Sequence, residues 1–116
     1  MHKFQYYEFF AGGGMARAGL GGDWLCTFAN DFDPMKIATY RENWGSEGLI
    51  FGDINEIVTT QISGIADLAG ASFPCQDLSL AGNAVGIGTV NEQTRSGAFW
   101  AFWQVIEGLI SERRAP

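Results

Sequence analysis

FFAGGGMARAGL, residues 9–20, is the stretch that decides the fold of this 116-residue chain. It joins an apolar run at residues 6–10 to a glycine-rich turn at residues 11–14 and a helix-like segment at residues 15–20. Glycines after a strand let the backbone approach a bound group closely. The pattern is not GxGxxG, because Arg17 occupies the third glycine position, and Gly-Lys-Ser/Thr does not occur. A plain glycine turn and a ligand-binding loop therefore both fit.

The rest of the chain continues this alternation of apolar runs and helix-like segments. Further runs lie at residues 25–29, 49–51 and 65–71, and helix-like segments at residues 34–44 and 96–111, with a weak helical turn at residues 57–62. In the last helix one apolar face is predicted from Phe99, Trp103, Ile106 and Ile110. The alternation predicts an α/β fold, with a parallel sheet of about four strands and flanking helices.

Composition excludes several classes of protein. Hydrophobic residues at 47% and charged residues at 17% indicate a globular chain, and its length indicates one domain. No run is long enough to cross a membrane, and no secretory signal is visible. Cys26 and Cys75 lie far apart and outside any CxxC, which disfavours disulfides and zinc and favours a cytoplasmic location. The net charge of −6 disfavours tight electrostatic binding of nucleic acid by this segment alone.

Two aspartates follow successive apolar runs. Asp31 stands where doubly wound folds place an acid that hydrogen-bonds ribose, and Phe32 offers a ring for an adenine. Alternatively, Asp31 or Asp33 caps the next helix. Asp53 is either an acceptor for an exocyclic amine, with Ile54 as an apolar wall, or a turn residue. Because ligands of open α/β sheets bind at the carboxyl ends of the strands, these features together favour a binding site there.

A thiol follows the fourth run. Cys75, within Ser72-Phe73-Pro74-Cys75-Gln76, is a candidate nucleophile, although an inert buried cysteine is the alternative. Cys26, inside the second run, is interpreted as such an inert residue. The polar stretch at residues 76–94 is longer than an ordinary connection, which predicts a functional or mobile loop.

Together these motifs resemble the amino-terminal part of the DNA (cytosine-5)-methyltransferases. The first three motifs of that family are resembled by Phe10-Ala11-Gly12-Gly13-Gly14-Met15, by Asn30-Asp31-Phe32-Asp33 and by Gly52-Asp53-Ile54. The catalytic motif is resembled by Phe73-Pro74-Cys75-Gln76-Asp77-Leu78-Ser79, and the fifth motif by residues 95–103. They stand in the family's order over nearly the whole chain. Met15 departs from the pattern, because many members have another glycine there.

The resemblance implies a Rossmann-like, S-adenosylmethionine-dependent methyltransferase fold with the cofactor over the strand ends. Phe10, Gly12 and Gly14 are expected near its methionine and ribose portion, and Asp31 near the ribose hydroxyls. The adenine is expected beside Phe32, Asp53 and Ile54. The full expected set of cofactor-binding residues is Phe10, Ala11, Gly12, Gly14, Met15, Asp31, Phe32, Asp53, Ile54, Ser72, Pro74 and Phe99.

The resemblance also implies a reaction. Cys75 is expected to add to C6 of a cytosine flipped out of the duplex, so that C5 can accept the methyl group. Residues 76–94 correspond to the family's mobile catalytic loop, and Gln76, Ser79 and Arg95 are expected on the substrate side. No metal is expected. The setting implied is restriction–modification.

The family pattern continues beyond what this sequence contains. The next strand with its Glu-Asn-Val, the later arginine motif and the target-recognition domain are absent from residues 1–116. We therefore expect the amino-terminal part of a catalytic domain, inactive alone, whose DNA is held by the complete enzyme. The sheet edge at residues 65–71 is expected to meet a complementary carboxyl-terminal chain or a second copy. The alternatives are a non-catalytic module that binds S-adenosylmethionine or a partner protein, and an RNA cytosine-5 methyltransferase fragment.

Overall fold

The structure is a computed structural model in which residues 3–72 and 95–116 are described, apart from the side chains of Arg95 and Ser96. Four strands are present in this part of the chain, namely β1 (Phe4–Phe9), β2 (Trp24–Asp31), β3 (Leu49–Phe51) and β4 (Leu68–Ala71). The helices there are α1 (Met15–Leu20), α2 (Pro34–Trp44) and α3 (Arg95–Ser111). Two short 3₁₀ turns are also present, Ile54–Glu56 and Thr59–Gln61, and the second lies within residues 57–62, where the sequence predicted a weak helical turn.

The strands form one parallel sheet in the order β3-β2-β1-β4. Phe9, the last residue of β1, is in register with Asn30 of β2 and Ala71 of β4. Asp31, the last residue of β2, is in register with Phe51 of β3. All four carboxyl ends therefore meet at one edge, which we call the carboxyl edge. The predicted parallel α/β sheet with flanking helices is confirmed.

Helix α3 covers the apolar face of the sheet. Tyr7, Phe9 and Phe28 point toward it, and the ring of Phe9 lies 5.2 Å from that of Phe28 and 5.1 Å from that of Phe102. Leu109 is completely buried among them. Burying side chains of this size stabilises a fold by about 1.5–3 kcal/mol each. This face forms the main core.

Side chains alternate along a strand, so the sheet presents a second set of side chains on its opposite face. Helices α1 and α2 cover that face. Its smaller core contains Ala11, Ala29 and Tyr40, with Trp44 packed against them. Each helix is followed by a glycine with φ 83°, Gly21 after α1 and Gly45 after α2. Both predicted helix ends are confirmed.

The structure differs from the sequence prediction in its boundaries and in one helix face. Strand β1 ends at Phe9, because Phe10 adopts a left-handed φ of 55°. Helix α3 does not bury the whole predicted face, since Trp103 and Ile110 remain 42% and 43% exposed. Its buried side consists of Ala101, Val105, Ile106 and Leu109. Because α3 is apolar nearly all round, periodicity alone could not select the face that packs on the sheet.

The end of α3 is tied to the connection that precedes β4. The Arg114 guanidinium donates to the carbonyl oxygens of Thr59 and Gly64, both at 3.1 Å, and to that of Ile62. In return, the Ala66 amide donates to the Arg114 carbonyl at 3.0 Å. These bonds fix the end of the helix beside the start of the edge strand. Neither 3–72 nor 95–116 contains a helix with the length and apolar character of a membrane span.

Candidate functional site at the carboxyl edge

The glycine loop at residues 11–14 turns sharply between β1 and α1. Gly12 and Gly14 have φ values of 58° and 89°, which side chains rarely permit. The Ala11 amide donates to the Asn30 carbonyl at 2.9 Å, which keeps the loop against the end of β2. A Cβ built on Gly12 would meet no atom of the described residues within 4 Å. As far as residues 3–72 and 95–116 are concerned, one side of the loop is therefore open to a ligand.

Asp31 connects the ends of three strands. One carboxylate oxygen accepts the Gly12 amide at 2.9 Å, and the other accepts the Asp33 amide at 3.0 Å. Its carbonyl accepts the Gly52 amide, after β3, at 3.1 Å. The side chain is 4% exposed, so these bonds lie in a protected environment. Asp33, rather than Asp31, caps α2, by accepting the Met35 amide at 2.9 Å.

Asn30, in β2, is hydrogen-bonded to the end of β3. Its buried side-chain amide donates to the carbonyls of Ile50 at 2.9 Å and Gly52 at 3.1 Å. Asp53 follows directly and is exposed, with one carboxylate oxygen accepting two bonds from Asn55. It caps a 3₁₀ turn, which is the turn role that the sequence left open.

Exposed apolar side chains also occur near this edge. Phe32 is 59% exposed although it directly follows β2, Phe51 at the end of β3 is 56% exposed, and Met15 at the start of α1 is exposed. Exposed apolar side chains beside polar groups are a common feature of binding sites. Residues after β1, β2 and β3 thus provide backbone, carboxylates and rings at one edge.

The remaining predicted site residues take varied positions. Ser72 is exposed, and its amide donates to the Phe9 carbonyl at 3.2 Å, so it belongs to the carboxyl edge. Ile54 is buried in the main core, and Phe10 and Phe99 are half-buried. Four predicted site residues lie outside the described part of the chain, namely Pro74, Cys75, Gln76 and Ser79. The predicted loop at residues 76–94 also lies outside it, and the side chain of Arg95 is not described.

Glu8 was not predicted as a functional residue. It is the last residue but one of β1, is 4% exposed and faces away from the main core. Burial raises the pKa of its carboxyl group to about 7. A Cβ on Gly70 of β4 would lie 3.1 Å from Glu8 Oε2, so a glycine there leaves room for the carboxylate. A charged residue inside an apolar run was the available sequence signal.

A second polar cluster lies behind the glycine loop. Cys26 Sγ donates to the Phe28 carbonyl at 3.4 Å and lies 3.5 Å from the Tyr40 hydroxyl, which accepts from Arg17 at 3.1 Å. Burial, with Cys26 close by, raises the pKa of Tyr40 to about 12. Cys26 is half-buried and lines a cavity of about 250 Å³, so it is less enclosed than its interpretation as a buried thiol implied. In the described part of the chain no cluster of His, Cys, Asp or Glu could hold a metal ion.

Known proteins share both the sequence and the fold. Residues 4–109 match the family model described as C-5 cytosine-specific DNA methylase. The chain is 35% identical over 108 residues to the type II methyltransferase M.HpaII of Haemophilus parainfluenzae, covering 90% of this chain and 28% of that protein. It is 34% identical over 100 residues to M.Eco47II of Escherichia coli, covering 82% of this chain and 22% of that protein. The chain thus spans less than a third of the length of these relatives.

Solved structures agree on the fold. The S. pombe Dnmt2 methyltransferase superposes with a TM-score of 0.62 at 19% identity, over 90% of this chain and 29% of that one. The Thermoplasma acidophilum 1320 structure gives 0.55 at 21% identity, over 91% of this chain and 47% of that one. The sheet is the Rossmann-like sheet of S-adenosylmethionine-dependent methyltransferases. The chain belongs to the C-5 cytosine-specific DNA methylase family, and this membership implies S-adenosylmethionine as the cofactor.

Proposed function

We propose that this chain is the cofactor-binding and nucleophile-bearing part of a DNA (cytosine-5)-methyltransferase. The observation that carries the proposal is the hydrogen-bonded junction of three strand ends around Asp31, within a stretch that matches the family. Ligands of open α/β sheets bind at this edge. The domain assignment follows, with residues 1–116 forming the amino-terminal part of a catalytic domain.

The residues at the carboxyl edge suit the parts of S-adenosylmethionine. Open space beside Gly12 suits the methionine and ribose portion, while the exposed ring of Phe32 suits stacking on the adenine. Asp53 is exposed and can accept a hydrogen bond from the exocyclic amine. Asp31 already holds two backbone amides, and each of its oxygens retains a lone pair for a ribose hydroxyl.

Cys75 is the proposed nucleophile. Its thiolate adds to C6 of the target cytosine, so that the electron pair shifts toward C5 and makes that carbon nucleophilic. When bound, the cofactor would supply the electrophilic methyl group: the bond from C5 to the methyl carbon would form as the sulfonium S–CH3 bond breaks, and the demethylated cofactor would leave as a neutral thioether. Loss of the C5 proton to a base then expels the thiolate from C6 and restores the ring. The nucleophile is regenerated, and the methyl group remains on C5.

Cofactor binding is tested by calorimetry with S-adenosylmethionine. We expect saturable binding that weakens about tenfold in Phe32→Ala, since stacking on a base is worth about 1–3 kcal/mol. The matched control is Phe4→Ala, an exposed phenylalanine at the opposite end of the sheet, which should bind as the wild type does. Equal affinity in Phe32→Ala and the wild type, or no binding at all, would contradict this assignment.

Methyl transfer is tested with labelled cofactor and cytosine-containing duplex DNA. Because the chain spans 28% of M.HpaII, we propose that it does not methylate DNA alone. A chimera that carries this chain in place of the matching stretch of M.HpaII should transfer label to DNA, and Cys75→Ser in the chimera should abolish transfer. Transfer by the chain alone would refute the proposed inactivity. A chimera that binds cofactor but transfers nothing would favour the non-catalytic module.

The exposed side chains of α3 and the outer side of β4, as far as the described residues go, suggest where a partner would bind. Among the described strands β4 lies at an edge of the sheet, and Trp103 and Ile110 of α3 are exposed. We propose that another part of the enzyme, or a second copy, covers this side, as unpaired edges and apolar patches favour association. Sedimentation of the chain should show association. A monodisperse monomer with a cooperative melt would contradict this.

A further inference from the structure

The indole of Trp44 lies directly against the glycine loop. Trp44 is the last residue of α2, and its Nε1 donates to the Gly13 carbonyl at 3.1 Å. A Cβ built on Gly14 would lie 2.1 Å from Nε1 and 2.6 Å from Cδ1. The space beside Gly14 is therefore filled by the indole, whereas no described residue fills the space beside Gly12. Within the described part of the chain, the loop has one face packed on α2 and one face free.

Neighbouring side chains hold the indole in this position. The Arg17 guanidinium lies 5.0 Å from the centre of the Trp44 ring, in cation–π geometry, and donates to the Tyr40 hydroxyl. Tyr40 is buried and lies one helical turn before Trp44, so both emerge from the same side of α2. Thr39 adds a methyl group 3.3 Å from where a Gly13 Cβ would be. The contact is thus part of a packed arrangement.

We propose that Trp44 is a positioning residue for the cofactor site. Its indole lies on the side of the loop that packs on α2, opposite the open side. Trp44 therefore acts through Gly13, to whose carbonyl it donates a hydrogen bond. With Asp31 holding Gly12 from β2 and Trp44 holding Gly13 from α2, the loop keeps the shape in which its free face accepts a ligand. This inference rests on the proposed binding of S-adenosylmethionine at that face.

The chemistry of the indole distinguishes positioning from simple space filling. A phenylalanine at position 44 would occupy much of the same volume but could not donate a hydrogen bond. If only packing matters, Trp44→Phe should cost general stability and leave the loop as tightly held as the rest of the fold. If the N–H matters, the loop should loosen selectively.

The test combines two measurements on Trp44→Phe. The first is amide hydrogen exchange of the cofactor-free chain. The amides of Gly12 and Gly14 should exchange about fivefold faster, because the loss of one hydrogen bond changes an opening equilibrium by about that factor. The amide of Leu109 in the main core should exchange at its wild-type rate. The second is affinity for S-adenosylmethionine, which should weaken by a similar factor. Trp24→Phe is the matched control, since Trp24 begins β2 at the far end of the sheet, and it should change neither value.

The possible results bear on the positioning role of Trp44 and on cofactor binding separately. Unchanged exchange at the two glycines, or acceleration equal to that at Leu109, would overturn the positioning role. A wild-type chain that does not bind the cofactor would refute the proposed function, while the exchange measurement would still decide whether Trp44 holds the loop. If Trp44→Phe does not fold, Arg17→Met replaces it, because losing the cation over the ring should loosen the same glycines about twofold.

Discussion

The two faces of the sheet are built from different chemistry. On the α3 face, Phe9 and Phe28 pack in an apolar core. The α1–α2 face buries Glu8, Tyr6 and Tyr40, and among the described residues the Tyr6 hydroxyl is buried without a hydrogen-bond partner. Buried polar groups cost stability, whereas apolar contacts supply it. The comparison indicates that the α3 face supplies most of the apolar stabilisation, while the α1–α2 face carries the buried polar groups and, through Trp44, contacts the glycine loop.

Deleting a side chain from the α3 face should have the largest effect. Phe9→Ala removes a fully buried ring between two others, so we expect a loss of about 3–5 kcal/mol in the free energy of unfolding, measured by urea denaturation. Phe4→Ala, on the same strand but exposed, should cost about 1 kcal/mol through its contact with Trp24. Similar losses in both variants would mean that the α3 face is not the main source of stability.

Glu8 gives the α1–α2 face a pH dependence. Its raised pKa means that the folded state binds the proton more tightly than the unfolded state, so stability is greatest at low pH and falls as pH rises from about 4.5 to about 7. The loss is on the order of 3 kcal/mol. Glu8→Gln should abolish this slope in denaturation curves, whereas Glu107→Gln, on the exposed side of α3, should keep it. A slope that persists in Glu8→Gln would contradict the burial of an ionisable carboxyl.

Arg114 tests how firmly α3 is fixed to the sheet. Arg114→Met removes its bonds to the carbonyls before β4, and we expect a loss of about 2 kcal/mol because the side chain is only partly exposed. The neighbouring Arg113 is exposed, so Arg113→Met provides the control and should lie within about 0.5 kcal/mol of the wild type. Equal effects in thermal or urea denaturation would show that these hydrogen bonds do not stabilise the helix end.

Asp31 should give the smallest stability change but a specific one. In Asp31→Asn one acceptor becomes a donor facing a backbone amide, so we expect a loss of about 1–2 kcal/mol together with weaker cofactor binding. Asp33→Asn should be nearly neutral, because asparagine caps helices as well as aspartate does. Denaturation and calorimetry of the pair measure both effects. A neutral Asp31→Asn would argue against its role at the junction.

The sequence was most informative where structure is local. The predicted bounds of α2, residues 34–44, are those of the structure, where Pro34 begins the helix and Gly45 follows its end. Asp31 and Asp53 were placed correctly at strand ends, since apolar runs and the parallel topology require neighbouring ends to meet. These features depend on residues close together in the chain.

Contacts distant in sequence could not be predicted. Trp44 lies 31 residues from Gly13, and no local pattern relates an indole at a helix end to a glycine loop. Arg114 binds carbonyls about 50 residues earlier, which depends on the position of α3 on the sheet. The wrong face for Trp103 has the same origin, because only packing selects one side of a helix that is apolar all round.

The most direct test of the central claim is a titration of the isotope-labelled chain with S-adenosylmethionine, followed by the backbone amide resonances. We predict that the largest shifts occur at Gly12, Phe32 and Asp53, with little change at Arg114 on the far side of the fold. Shifts that are absent, or that concentrate around the cavity beside Cys26 instead of the carboxyl edge, would contradict the assignment of the cofactor site.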